Sequence, residues 1–187
     1  MSDEVLAEYR QQLLADVSGE ILEIGFGTGL NLSHYPETVQ KITTVDPNPG
    51  MNKLAKSRIA ASEITVDCKI LSGENLPMAD ASFDSVVCTW TLCSIPQVDR
   101  AIAEIYRVLK PGGKFFFIEH GISQDKNIQV WQNRLTPIQK VIADGCHLNR
   151  HIQQIVAQKF PSVTVEQFYA PSLPKVIGYM YQGVAIK

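Results

Sequence analysis

Three glycines follow the first apolar run of the chain, in the stretch Glu-Ile-Gly-Phe-Gly-Thr-Gly at residues 23–29. Glycines between a strand and a helix let backbone N–H groups approach a ligand closely, and the helix N-terminus favours a negatively charged group. The spacing departs from the G-x-G-x-x-G of dinucleotide folds, because the third glycine comes one residue early and Leu30 occupies the last position. The loop therefore predicts a bound ligand other than a pyrophosphate, with a ligand-free turn as the alternative.

The position of Asp46 relative to this loop also indicates which ligand binds. It lies 21 positions after Gly25, at the end of the second predicted strand. A carboxylate in that place can accept hydrogen bonds from both hydroxyls of an unphosphorylated ribose. The loop and Asp46 together predict a ligand that contains adenosine.

Polar side chains gather again in the second half of the chain. His120 directly follows the fifth predicted strand, and strand carboxyl ends face the ligand crevice in such sheets, so we expect it to act as a general base unless it only caps or packs. Asp144 begins a polar stretch that we expect to close over a bound substrate. Cys146, His147 and His151 lack the spacing of a complete ligand set, so the sequence predicts no metal.

Length and composition limit the function classes. A chain of 187 residues, 45% hydrophobic, can bury about 70% of its unfolded surface as one domain. Seventeen Lys and Arg against nineteen Asp and Glu, without a basic run, predict no nucleic-acid partner. Four cysteines without a C-x-x-C pair fit a reducing compartment. No apolar stretch approaches the ~18 residues that span a bilayer, so we expect a cytoplasmic protein with no integral membrane segment.

Short β-branched runs alternate with helical apolar stripes along the chain, which is typical of a parallel α/β fold. The predicted strands cover residues 20–24, 41–46, 66–71, 83–88 and 114–119. The predicted helices cover 3–16, with Ser2 as its N-cap, then 30–34, 50–60 and 98–109. Pro111-Gly112-Gly113 is expected to end the last of these and turn into the next strand.

The C-terminal third departs from this alternation. Residues 122–148 are expected to form a helical insertion, in which Pro137 kinks or divides the helix. A helix at 149–158 and strand-rich stretches at 163–169 and 176–186 follow. No crossover helix fits between the last two stretches, so we expect them to pair antiparallel. Without repeats or linkers, residues 1–187 are expected to form a single domain. The sequence has no interface signature and predicts no oligomeric state.

Taken with four further motifs, the glycine loop resembles the class I S-adenosylmethionine-dependent methyltransferases, methyltransferase type 11-like. The motifs, over about residues 18–120, are Thr44-Val45-Asp46-Pro47, Glu74-Asn75-Leu76-Pro77, Ser82-Phe83-Asp84-Ser85-Val86-Val87 and Arg107-Val108-Leu109-Lys110-Pro111-Gly112-Gly113. The resemblance implies a Rossmann-like α/β sheet, mostly parallel with an antiparallel C-terminal strand and helices on both faces. It also implies S-adenosyl-L-methionine as the methyl donor and S-adenosyl-L-homocysteine as the product.

The same resemblance implies where the donor binds. In this family the glycine loop surrounds the methionine part, the acid after the second strand binds the ribose, and the segment after the third strand holds the adenine. Glu23 is expected to position the methionine amino group, and Met51 to cover the adenine. By this resemblance the cofactor-binding residues are Glu23, Gly25, Gly27, Gly29, Asp46, Pro47, Met51, Ser72, Gly73, Glu74, Cys88 and Thr89, the last two beside the sulfonium. His120 and Asp144 are the catalytic candidates on the acceptor side.

A narrower resemblance reaches almost the whole chain. The residues are G-T-G-x-N at 27–31, C-T-x-x-L-C-S at 88–94, Glu119-His120 and D-G-C-x-L-x-R at 144–150. They are similar to the branch that includes the animal methyltransferase-like thiol S-methyltransferases and their bacterial relatives. This implies methylation of a small-molecule acceptor, most simply a thiol, with N-methylation of an amine or a phospholipid head group as the alternative. A non-catalytic S-adenosylmethionine-binding module and a nicotinamide-dependent oxidoreductase are the alternatives from other classes.

Overall fold

A computed structural model describes residues 3–171 and 173–187 and contains one seven-stranded sheet. The strands are β1 Ile21–Ile24, β2 Lys41–Val45, β3 Thr65–Lys69, β4 Phe83–Thr89, β5 Leu109–His120, β6 Ser162–Tyr169 and β7 Tyr179–Ile186, in the order β3-β2-β1-β4-β5-β7-β6. Strands β1 to β5 are parallel, and β7 pairs antiparallel with both β5 and β6. The predicted mostly parallel α/β sheet with an antiparallel C-terminal pairing is confirmed.

Helices flank this sheet and begin at recognisable local signals. They are α1 Asp3–Leu14, α2 Pro49–Ala61, α3 Val98–Val108, α4 Lys126–Ile142 and α5 Ile152–Ala157, with a short 3₁₀ helix at Leu30–Ser33. The Asn48 side chain accepts a hydrogen bond from the Gly50 N–H at 2.9 Å and caps α2. Asp125 does the same for α4 through the Asn127 N–H at 2.8 Å. The proposed capping residue of α1, Ser2, lies outside the described residues.

Apolar side chains cover both faces of the sheet, as expected for strands buried on two sides. Phe115 and Phe117 of β5 point to one face, where α3 and α5 contribute Ile102, Ile105 and Ile152. Phe116 points to the opposite face, where α1 and α2 contribute Leu13, Leu14 and Ala55. The two cores hold the central strands rigidly between helices, so the strand ends are fixed in position.

The structure corrects several predicted boundaries. The first helix ends at Leu14 rather than 16, the third strand is Thr65–Lys69, and the last strand begins at Tyr179 rather than 176. The Pro-Gly-Gly segment does not separate helix from strand; β5 already begins at Leu109, and a register irregularity against β4 accommodates the extra residues.

Pro137 does not divide its helix, because α4 runs through it. Gln132, 1% exposed, anchors this helix: its side chain accepts from the Ser123 N–H at 2.8 Å and donates to the Gly121 carbonyl at 3.0 Å. The helix predicted at 149–158 is shorter in the structure, where α5 covers only Ile152–Ala157.

The strand order determines where a ligand can enter. The chain extends from β1 outwards to β2 and β3, then crosses to the other side of β1 to form β4 and β5. Loops after β1 and β4 therefore leave the sheet in opposite directions, and the gap between them opens at the carboxyl ends of these strands.

Candidate functional site

A cavity of about 800 Å³ opens at these carboxyl ends. Its walls come from the glycine loop after β1, the ends of β2 and β4, the loop after β3, and the segment after α4. Ten of the residues predicted from the sequence line it: Gly25, Gly27, Asp46, Pro47, Met51, Ser72, Gly73, Thr89, His120 and Asp144. A volume of this size is within the range of small-molecule sites, roughly 300 to 1,000 Å³.

Gly25 and Gly27 are two positions of the loop where the backbone requires glycine. Both have positive φ, +76° and +57°, which side-chain-bearing residues rarely adopt. A Cβ on Gly25 would overlap the side chain of Thr91, so this glycine allows the loops after β1 and β4 to approach each other. A Cβ on Gly27 would meet only the Gly25 carbonyl at 3.9 Å and would otherwise project into open space. Gly27 therefore leaves room where a ligand can approach the backbone.

Asp46 follows β2 and is 7% exposed at the cavity wall. Its carboxylate accepts from the Gly27 N–H at 2.8 Å through Oδ2 and from the Asn48 N–H at 2.8 Å through Oδ1. A carboxylate has about four acceptor positions, so each oxygen can still accept a hydroxyl group. Asp46 thus links the glycine loop to the start of α2 and can still accept hydrogen bonds from the two hydroxyls of a diol.

Glu23 lies behind the cavity wall rather than in it. It is 1% exposed, accepts from Tyr35 Oη at 2.8 Å and from Asn31 Nδ2 at 2.8 Å, and has the Arg10 guanidinium nearby. Burial raises the pKa of Glu23 to about 7, although these hydrogen bonds and Arg10 act in the opposite direction. Asn31 also donates to Thr89 Oγ1 at 3.1 Å, which connects Glu23 to the cavity through one intervening side chain.

Three other predicted residues also lie outside the wall. Cys88 is fully buried in the core beneath the cavity and is not part of its wall, so its place beside the sulfonium stays a prediction. Gly29, the N-cap of the 3₁₀ helix, has the left-handed conformation and lines a separate depression. Glu74 accepts from the Gln97 N–H at 2.6 Å and from Ser72 Oγ at 3.1 Å, so it links two loops. Strand alternation and local hydrogen bonding explain these placements, since adjacent positions face opposite sides.

The loop after β4 is ordered by a buried carboxyl group. Glu119 of β5, fully buried, accepts from the Thr91 and Leu92 N–H groups at 2.9 and 2.8 Å and from the Cys93 N–H at 3.1 Å. Burial raises the pKa of Glu119 to about 7 against the effect of these three hydrogen bonds. Glu119 therefore holds the loop after β4 that forms this part of the cavity wall.

At the other end of the cavity, Cys93, His120 and Cys146 converge. His120 Nδ1 lies 3.8 Å from Cys93 Sγ and 3.7 Å from Cys146 Sγ. The Cys93 thiol lowers the pKa of Cys146, with a further contribution from His120, whereas the pKa of Cys93 is raised by this pairing and by burial. No spacing in the sequence indicates Cys93 as a site residue, because residues 93, 120 and 146 come together only through the tertiary structure.

Other polar candidates from the C-terminal stretch are placed differently. Asp144 is exposed at the cavity rim, with a φ of +46° in the turn after α4. His147 faces the Cys93 carbonyl, 3.1 Å from Nδ1, and His151 is exposed beside a different depression. Trp131, 51% exposed, lies outside the cavity, whereas Trp90 lines it. Trp90 has a positive φ of 54°, which no local sequence pattern predicts.

The sheet order and the glycine-loop cavity define the class I methyltransferase fold. The model of the methyltransferase domain family matches residues 22–117 of this chain. The chain therefore belongs to the S-adenosylmethionine-dependent methyltransferase family.

Relatives extend the similarity beyond that core. The chain is 40% identical over 173 residues to "Thiol S-methyltransferase TMT1B" of Rattus norvegicus, covering 89% of this chain and 70% of the relative. It is 34% identical over 186 residues to "Thiol S-methyltransferase TMT1A" of Homo sapiens, covering 94% and 75%. A crystal structure of a SAM-dependent methyltransferase from Thermotoga maritima covers 100% of both chains with a TM-score of 0.68 at 18% identity, which shows the shared fold.

Among the helices that the structure describes, none combines the length and apolar character needed to cross a bilayer.

Proposed function

We propose that the protein transfers the methyl group of S-adenosylmethionine to the sulfur of a small thiol. The observation that carries this proposal is the 40% identity to a relative named as a thiol S-methyltransferase, over 89% of this chain. The cavity is consistent with it: Trp90, Ile95, Pro96 and Ile177 line it, and its apolar surface suits a small uncharged thiol.

The donor end of the cavity fits S-adenosylmethionine. Gly27 has no neighbour closer than 3.9 Å where a Cβ would stand, so a ligand can lie against this backbone. Asp46 would hold the ribose hydroxyls, Met51, Ser72 and Gly73 would flank the adenine, and Thr89 would lie near the methyl group. The bound donor supplies a methyl group on a sulfonium, which is already activated for displacement.

The protein's part is then to hold the acceptor and exclude water. Fixing two reactants in line at near-attack distance can lower the activation free energy by about 7 to 11 kcal/mol. The loop of Thr91 to Cys93, held by Glu119, gives the acceptor end of the cavity a fixed wall. His120 lines the same end, and we assign it as the acceptor of the thiol proton.

An amine acceptor is the less favoured candidate. A cationic amine needs a carboxylate partner in an apolar cavity. Of the described carboxylates on the cavity wall, Asp46 lies at the donor end and Asp144 at the exposed rim. Glu119 is buried and already accepts three backbone N–H groups.

The test is a panel of small thiols, amines and phospholipids, with formation of S-adenosylhomocysteine as the readout. We expect turnover with thiols and a loss of S-adenosylhomocysteine binding in Gly27→Ala, because its new methyl group enters the ligand space. The matched control is Gly112→Ala: Gly112 also has positive φ, +78°, but a Cβ there meets nothing within 4 Å and the residue is absent from the cavity wall. Methylation of amines without any thiol turnover would contradict the proposed acceptor.

A further inference from the structure

Cys93, His120 and Cys146 form a compact cluster of metal-binding atoms on the cavity wall. Cys93 Sγ, Cys146 Sγ and a ring nitrogen of His120 all lie within 4.8 Å of one another. The His120 Nδ1 distances to the two sulfur atoms, 3.8 and 3.7 Å, are nearly equal. In a tetrahedral zinc site with bonds of about 2.3 Å to sulfur and 2.0 Å to nitrogen, ligand atoms are about 3.5 to 3.8 Å apart. The two nitrogen–sulfur distances are therefore close to those of a tetrahedral site, and the two sulfur atoms lie within 4.8 Å of each other.

The three residues come from separate parts of the fold, and the backbone holds each in place. Cys93 is in the loop after β4, where its N–H donates to Glu119 at 3.1 Å. The Cys93 carbonyl in turn accepts from the His147 N–H at 2.9 Å, which ties this loop to the segment that contains Cys146. His120 ends β5, whose pairing with β4 and β7 fixes its backbone. Such preorganisation lowers the cost of assembling a metal site.

We propose that Cys93, His120 and Cys146 bind Zn²⁺, and that the fourth coordination position faces the cavity and takes the sulfur of the acceptor thiol. Two thiolates and an imidazole are ligands that zinc prefers, and three protein ligands with one open position are the pattern of catalytic zinc sites. The metal site stands on the geometry of the cluster alone, whereas its role towards the acceptor rests on the proposed thiol S-methyltransferase function.

The charges around the cluster suit this ion. Two thiolates balance the charge of Zn²⁺, so the loaded site is neutral before the acceptor binds. The neighbouring Arg150 guanidinium donates to the Leu92 carbonyl and, at 2.7 Å, to the Ile95 carbonyl, which places a positive charge beside the same loop. A coordinated acceptor thiolate would add one negative charge in the field of this cation.

Coordination takes over the activation of the thiol from His120. The thiol releases its proton to solvent as its sulfur binds Zn²⁺. An electron pair of that sulfur forms the new bond to the methyl carbon, and the carbon–sulfonium bond breaks with its electron pair going to the sulfur of S-adenosylhomocysteine. The product thioether is neutral and a weaker ligand than the thiolate, so it can leave the metal.

Direct metal titration tests the site without any turnover. The protein is prepared metal-free under a reductant, then titrated with Zn²⁺ and separately with Co²⁺, whose thiolate charge-transfer absorption reports cysteine coordination. We expect one equivalent to bind, and an affinity at least about 100-fold weaker in Cys146→Ala and His120→Asn. The matched controls are Cys68→Ala and His151→Asn, both at exposed positions, which should bind Zn²⁺ as the unaltered protein does.

Binding of S-adenosylhomocysteine to each variant shows whether its fold is intact. A variant that still binds this product but not Zn²⁺ supports the site. Absence of stoichiometric Zn²⁺ binding in the reduced unaltered protein, or equal loss in Cys68→Ala, overturns it.

A second titration tests the open position. Adding a small alkyl thiol to the Co²⁺ protein should change the charge-transfer absorption, and it should leave a Cys146→Ala sample unchanged. An unchanged spectrum in a protein that methylates the same thiol overturns acceptor coordination while the thiol function stands. Intact metal binding without turnover of any thiol, metal-free or loaded, overturns the proposed function and the acceptor role together, and leaves only the metal site.

Discussion

Burial determines the pKa of Glu23, a residue that lies next to the cavity. Its carboxyl group is 1% exposed, and burial raises its pKa from 4.5 to about 7 despite the hydrogen bonds from Tyr35 and Asn31. The nearby Arg10 lowers this pKa, and the charge of Asp46 raises it. At neutral pH the folded protein therefore holds a carboxyl group that is partly protonated, whereas the unfolded chain exposes an ionised one.

Glu23→Gln should make stability less dependent on pH. The pKa of Glu23 is higher in the folded state than in the unfolded chain, so protonation of Glu23 stabilises the folded protein. This contribution to the free energy of unfolding is fully present below about pH 4.5 and is lost as the pH rises through 7. Over that window the loss is on the order of 3 kcal/mol. Urea unfolding at pH 5 and pH 8 gives the change in the free energy of unfolding for the unaltered protein and for Glu23→Gln. The difference between these two changes is the contribution of Glu23.

Glu119 is the internal control, since its pKa is also raised to about 7 and it is present in both proteins. Its contribution cancels when the pH dependence of the variant is subtracted from that of the unaltered protein. An identical pH dependence in the two proteins would contradict the burial of an ionisable Glu23.

At the scale of elements, sequence patterns were most informative where one element determines its own structure. The apolar residues of α3 recur at helical spacing, and the five parallel strands are short apolar runs, so these elements could be located from the sequence. The glycine loop could also be located, because positive φ at Gly25 and Gly27 is a local requirement. The ends of β3 and β7 could not, because strand pairing with a distant partner decides where a strand stops.

The site was predictable to the same extent. Residues that follow strands were placed on the cavity wall because carboxyl ends of parallel strands meet at one edge. The cluster of Cys93, His120 and Cys146 depends on the packing of α4 and the loop after it, and no spacing in the sequence encodes that contact. The role of Glu119 depends on a loop that folds back onto β5 and is likewise invisible in the sequence.

The anchoring of α4 gives a prediction at this scale. Gln132→Met keeps the size and helix preference of the side chain but leaves the Ser123 N–H and the Gly121 carbonyl without the Gln132 amide. We expect destabilisation of roughly 1 to 3 kcal/mol for each buried group left unsatisfied, measured by urea unfolding. Lys126→Met, at an exposed position of the same helix, is the control and should change stability little. Equal stability of the two variants would show that α4 is not held through Gln132.

At the scale of the whole molecule, the two cores and the cavity have separate tasks. The helices on both faces hold the central strands, and the loops at the carboxyl ends are left to form the cavity wall. A ligand that bridges the loops after β1, β2 and β3 would therefore stabilise the fold as a whole, since it binds a surface that exists only in the folded state. This links the identity of the donor to a measurement that needs no acceptor.

S-adenosylhomocysteine should raise the unfolding temperature, and NAD should not. At about 100 times its Kd a ligand adds about 2.7 kcal/mol to folding stability, which corresponds to ~5 to 11 °C for a chain of this size. NAD carries a pyrophosphate, and the loop at residues 23–29 lacks the third glycine position that a dinucleotide needs. Asp46→Asn should reduce the shift with S-adenosylhomocysteine, because the amide nitrogen cannot accept a ribose hydroxyl. Stabilisation by NAD, or an equal shift in Asp46→Asn, would show that the cavity does not hold the donor across the ends of β1 and β2.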